Sequence, residues 1–212
     1  QTRDTFSGVV VSGLTLAAPD DATVITPVTT LLKLLTDSTT VGGVTVSGLN
    51  LTDAQTLLKS ALGLPSVDLL TFDPSSSSVD STQATQYLKA NVQVVGTLKA
   101  LSTLVSEIST QATVTPSRVF DEGMELVAAK IKGLGAQTLS LSSETQVAQL
   151  AGELKSAFSI TDSNFDSALV SVQKAIANVN AAVSRVTDFN DATTSVSSDN
   201  YKALDLMAVA QT

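Results

Sequence analysis

Residues 82–112, TQATQYLKANVQVVGTLKALSTLVSEISTQA, decide the fold class. Leu88, Val92, Val95, Leu98, Leu101, Val105 and Ile108 recur at intervals of three and four, the spacing that gathers apolar side chains on one face of an α-helix. Gly96 is the place where such a helix would bend. The same period returns three times downstream. Residues 116–132 carry Phe120, Met124, Val127 and Ile131 and stop at Gly133. Residues 143–158 follow a Ser143-x-x-Gln146 cap with Val147, Leu150, Leu154 and Phe158. Residues 162–186 carry Phe165, Leu169, Val172, Ile176, Val179 and Val183, a seam read as core packing within a bundle. A shorter helix is expected over residues 199–209.

Upstream, Thr26-Pro27 sets a capping hydroxyl before a proline at the first helical position, and Val28, Leu31, Leu32 and Leu35 share a face. Thr52-Asp53-Ala54-Gln55 has capping-box spacing ahead of Leu57, Leu58, Ala61 and Leu62, with Gly63 and Pro65 closing the element. Around these helices lie β-branched segments. Residues 5–16 read as a strand or a bent pair, and residues 8–16, GVVVSGLTL, return as residues 43–51, GVTVSGLNL, with seven of nine positions the same. Gly13 and Gly48 are expected to mark bends. Thr138–Leu141 is a candidate extra strand. The fold expected is mainly α, a helical bundle with a small β-element formed by the N-terminal and inserted strands. Its organisation is residues 1–25 as an N-terminal β-segment and residues 26–212 as the bundle, with the inserted strand at 41–51.

Composition narrows the function. The chain has 212 residues, 43% of them hydrophobic, and a formal charge of −8, so it can bury a core and lacks the clustered cations that a phosphate backbone requires. Nucleic acid is excluded as a partner. With no His and no Cys, imidazole- or thiolate-based nucleophiles, thiolate or imidazole metal sites and disulfides cannot be built. Zero Trp and two Tyr leave a carboxylate-pair glycosidase without its usual aromatic sugar platform. No run of about 18 uncharged apolar residues occurs, so neither a membrane span nor an uncleaved leader is expected. The chain is read as non-enzymatic.

Three stretches together carry a family resemblance. AAPDDATVITPVTTLL at residues 17–32 is followed by ALGLP at 61–65 and VDLLTFDP at 67–74, then by a Gln-, Ala- and Val-rich helix. This order resembles a module of large bacterial extracellular and cell-surface, adhesin-like proteins, in which a β-rich segment hands over to helices. The resemblance covers roughly residues 8–112 and implies an extracellular, non-catalytic module; on that reading Gln1 is expected to follow a removed leader or to lie inside a larger chain. The second Val-Ser-Gly-Leu segment departs from that pattern.

The candidate sites follow from these readings. Phe6, Val9, Val11, Leu14 and Leu16 are expected assembly anchors, pairing near Val44, Val46 and Leu49 within or between chains, because a charge-poor edge strand leaves backbone groups for another chain. Such contacts would build a filament, layer or stalk, through self-association or with neighbouring modules. No cofactor is expected. Calcium is the one ion with candidate ligands, Asp162, Asn164 and Asp166 in one loop and Asp188, Asn190 and Asp191 in another. An EF-hand loop starting at Asp162 would also need Gly at its sixth and Glu at its twelfth place, where Ser167 and Gln173 stand. The alternative function is a ligand-binding adhesion module that responds to calcium.

Overall fold

The computed structural model describes residues 2–3, 10–11, 15–41, 44–135 and 137–189. Six helices are found among them: α1 (Pro27–Thr36), α2 (Leu51–Leu62), α3 (Ser81–Ile108), α4 (Pro116–Leu134), α5 (Glu144–Ala157) and α6 (Asn164–Ser184). The molecule is mainly a helical bundle. At 28 residues, α3 is about 42 Å long and forms its axis. Helices α4 and α6 pack on α3, α5 bridges α4 and α6, and α1 lies against α4 with α2 beside it. The largest fully buried side chains include Tyr87, Phe120, Phe165, Leu31, Leu98, Leu101 and Met124, drawn from four different helices.

Capping chemistry sets most of the helix starts. Thr26, Thr115 and Ser143 each accept a hydrogen bond from the backbone N–H three residues on, and a proline follows the first two. The start of α2 differs from the expected capping box. Its cap is Asn50, whose side chain accepts from the Asp53 N–H and donates to the Asp53 carboxylate at 2.7 Å, so Thr52 already lies in the first turn. Gln146 likewise does not reach back to Ser143; its carbonyl accepts from the Ser140 N–H at 2.8 Å. Helix α4 runs through Gly133 and stops at Gly135, which has φ +59°. Thr138–Leu141 is a loop, not a strand: the Leu139 N–H bonds a last-turn carbonyl of α2, Ala61 O, at 2.8 Å rather than a neighbouring strand.

The buried face of α3 also departs from the expected stripe. Leu88, Val92 and Val95 are half-buried, whereas Ala84, Tyr87, Asn91, Val94, Thr97, Leu98, Leu101 and Val105 are buried. An axial helix covered on more than one side has no single apolar face, and several of its contact positions are polar.

The described strands are short and fall into two separate antiparallel pairs. β1 (Thr2–Arg3) pairs with β2 (Val10–Val11), and β3 (Thr39–Val41) pairs with β4 (Val44–Val46). Within the described residues, β2 and β4 do not pair with each other, so the expected β-element joining the N-terminal and inserted segments is not shown. The expected helix at 199–209 lies outside the described residues.

Candidate functional site

The β-segments enter the bundle at two places, and each junction is built from specific groups. Thr30 Oγ accepts from the Ala17 N–H at 3.1 Å and donates to the Ala17 carbonyl at 2.8 Å. Two residues earlier, Thr15 donates both its hydroxyl and its N–H to the Asp121 carboxylate on α4. Burial pushes the Asp121 carboxyl above the usual range, and the two Thr15 bonds pull in the opposite direction. Glu125, one turn on, is pushed up by burial, then by the negative charges of Glu122 and Asp121. The chain leaving β2 is therefore moored on α1 and α4.

The second junction is where β4 returns to α2. A Cβ on Gly48 would overlap the Thr36 carbonyl at the end of α1, so only glycine fits. Leu49 N–H donates to Leu35 O at 2.8 Å, Gly48 N–H reaches Ser38 Oγ at 3.4 Å, and the Lys132 ammonium caps Ser47 O at 2.6 Å. Leu49 itself packs on the core. Gly48 was expected to mark a strand bend; its role here is close approach of two backbones. The segment from β4 to Leu49 thus occupies a shaped slot at the C-terminal end of α1.

Of the other expected anchors, Val11 lies in β2, Val44 and Val46 lie in β4, and Leu16 is half-buried beside Ala17. Phe6, Val9 and Leu14 lie outside the described residues.

Two of the calcium candidates hold other partners. Asp162 Oδ1 accepts from the Asn164 N–H at 2.7 Å, in the turn before α6, whose N-cap Ser163 makes no side-chain capping bond. The Asp166 carboxylate pairs with Lys155 at 2.8 Å, across the α5–α6 seam, and that ammonium also sits 5.1 Å from the Phe165 ring centre. Asp188 lies in the described turn after α6, while Asn190 and Asp191 lie outside the described residues. Beside Asp162 a shallow depression of about 160 Å³ separates the α3–α4 and α5–α6 loops, lined by Ser109, Thr110, Gln111, Ser159 and Thr161 among others. Ser159 holds φ +52°, and Gln111 donates to the Phe158 carbonyl at 3.2 Å.

The motif residues of the resemblance meet inside the protein. Tyr87 OH lies 2.8 Å from Thr26 Oγ, Thr29 Oγ accepts from the Thr26 N–H at 2.8 Å, and Asn91 Oδ1 accepts from the Val28 N–H at 3.0 Å. Asn91 donates in turn to Tyr87 O, and the Tyr87 ring stacks at a tilt on Phe72, with centroids 5.1 Å apart. Gln55 clasps the other motif segment, donating to Asp68 and accepting from the Leu69 N–H, both at 3.1 Å. Thr23 closes the loop through its N–H to Leu70 O at 2.8 Å. These groups satisfy the free N–H donors at the start of α1 and fix two loops. Sequence reading overlooked Asn91 and Asn180, because a polar residue inside a helix ordinarily marks its wet face. Asn180 is buried in the α3–α6 seam and donates to Thr97 Oγ and Leu141 O, both at 2.8 Å.

No protein-family model, curated protein or solved structure matches the chain. No helix among the described residues is long and apolar enough to cross a membrane.

Proposed function

We propose that this chain is a non-enzymatic structural module of a bacterial cell-surface assembly, a filament, layer or adhesin stalk, and that copies join by β-strand addition through the N-terminal segment. In this reading Phe6, Val9, Val11, Leu14 and Leu16 anchor the contact, which forms near Val44, Val46 and Leu49. Its β-element is completed between copies, and its location is extracellular. The observation that carries the reading is the pairing of the short strands: β2 and β4, which lie within the repeated segments 8–16 and 43–51, sit in separate two-stranded ribbons. A two-stranded ribbon is marginally stable alone and gains from a third strand.

Negative-stain electron microscopy of the full chain, with and without residues 1–16 and in calcium or chelator, tests it. Ordered polymers that disappear on truncation are the expected result. Monomers under every condition would overturn it and favour a ligand-binding module of a longer surface protein.

A further inference from the structure

Resting on that reading, we propose that the incoming strand enters by exchange rather than as a third strand, and that its acceptor is the slot at the C-terminal end of α1. Residues 9–14 of one copy seat there in place of residues 44–49 of a second copy. The slot is selective. It requires a glycine against the Thr36 carbonyl, a following leucine whose N–H meets Leu35 O and whose side chain reaches the core, and a strand that pairs with β3. The sequence that fills it is Val44-Thr45-Val46-Ser47-Gly48-Leu49, and the same key is written a second time as Val9-Val10-Val11-Ser12-Gly13-Leu14.

Residues 10 and 11, the described part of this spare key, are already extended. Seated, Val9 and Val11 take the places of Val44 and Val46 opposite Val41 and Thr39, and Gly13 takes that of Gly48 beside Ser38. The only change along the key is Thr45 to Val10, so the incoming strand makes near-identical contacts in the slot, against the loss of its own pairing with β1 and of the displaced strand's pairing with β3. The mooring of Ala17 on Thr30 and of Thr15 on Asp121 holds the donor's base on its own body. Each copy then donates one key and offers one slot, a head-to-tail contact that grows open-ended unless its rotation closes.

The resident key has the advantage of being tethered, an effective concentration on the order of millimolar. Exchange therefore suits chains crowded on a surface, and it should be released by damaging the resident key alone. Gly48→Ala places a methyl group against the Thr36 carbonyl and evicts residues 44–49, while the spare key keeps its glycine. Sedimentation of the full chain should show association beginning at a concentration lower by at least about tenfold, the ratio that ~1.4 kcal/mol confers. Adding Gly13→Ala to Gly48→Ala should return the chain to monomer. Circular dichroism confirms that the helices of each variant persist.

An independent arm leaves both glycines intact. The sequence contains no cysteine, so equimolar Ser12→Cys and Ser38→Cys chains, mixed under mild oxidation, should yield a mixed disulfide dimer. Adding Gly13→Ala to the Ser12→Cys chain should abolish it. Polymers without that cross-link, or equal association of Gly48→Ala with and without Gly13→Ala, would overturn the slot assignment alone. A chain that stays monomeric at every concentration overturns the assembly reading with it.

Discussion

At the scale of single residues, the polar groups around the start of α1 carry more than their polarity suggests. Asn91 is buried on α3 yet supplies the acceptor for the Val28 N–H, a donor that the helix cannot satisfy itself. Asn91→Ala should therefore cost about 1–3 kcal/mol, because it leaves a buried N–H without a partner. Tyr87→Phe should cost less, roughly 1 kcal/mol: Thr26 Oγ loses the phenol but still accepts from the Thr29 N–H. Urea unfolding of the two variants against the parent checks the order. An Asn91→Ala chain as stable as the parent would show that Val28 has another acceptor. The Thr-Pro-x-Thr-Thr run at residues 26–30 is explained at this scale as a buried helix clamp, with Thr26, Thr29 and Thr30 each bonded and Pro27 filling a position that needs no donor.

Among the elements, what was legible depended on whether local chemistry or tertiary cover decided the outcome. The existence of α1 to α6 could be read from period and caps, since Thr26, Thr115 and Ser143 act locally. The buried face of α3 could not, because α4 and α6 cover it from different sides and draw Thr97 and Asn180 into the core. The end of α4 lies two residues beyond the stop that the sequence suggests, for a related reason: glycine reads as a stop, but Gly133 continues the helix in open space while Gly135 takes the positive φ. This pair makes a contrast. Gly133→Ala should stabilise by about 0.5–1 kcal/mol, by removing glycine's backbone entropy from a helix interior. Gly135→Ala should destabilise by roughly 1–2 kcal/mol, the cost of a side chain at left-handed φ. Thermal unfolding should shift in opposite directions, and shifts of the same sign would mean that α4 ends elsewhere. The slot that holds Gly48 was equally hidden, since the glycine answers the carbonyl of Thr36, twelve residues away, rather than its own strand.

For the whole molecule, an acidic surface on a helical body sets how stability responds to pH. Asp121 and Glu125 have carboxyl groups held above their ordinary range, chiefly by burial, with Glu122 and Asp121 adding to the effect at Glu125. Between the ordinary and the raised values the folded chain holds more protons than the unfolded one. Stability from these two groups is thus full below the ordinary carboxyl range and is lost as pH rises through their raised values. Asp73 has the opposite sign, lowered by its hydrogen bonds from Ser75, so its contribution is present above the ordinary range and lost as pH falls through the lowered value. The formal charge of −8 reinforces the first pair by self-repulsion near neutrality. Glu125→Gln should remove one raised group and two like-charge contacts, raising neutral-pH stability by roughly 0.5 kcal/mol. It should also flatten the decline in urea midpoint that sets in as pH rises above the ordinary carboxyl range. Asp73→Asn should leave that decline unchanged and lower stability only above the ordinary carboxyl range as a constant offset, because the Asp73 contribution builds up at lower pH, between its lowered value and the ordinary one. If Glu125→Gln keeps the parent slope, burial at this face of α4 is not what the acidic cluster responds to, and the mooring of Thr15 on Asp121 would have to be held by the hydrogen bonds alone.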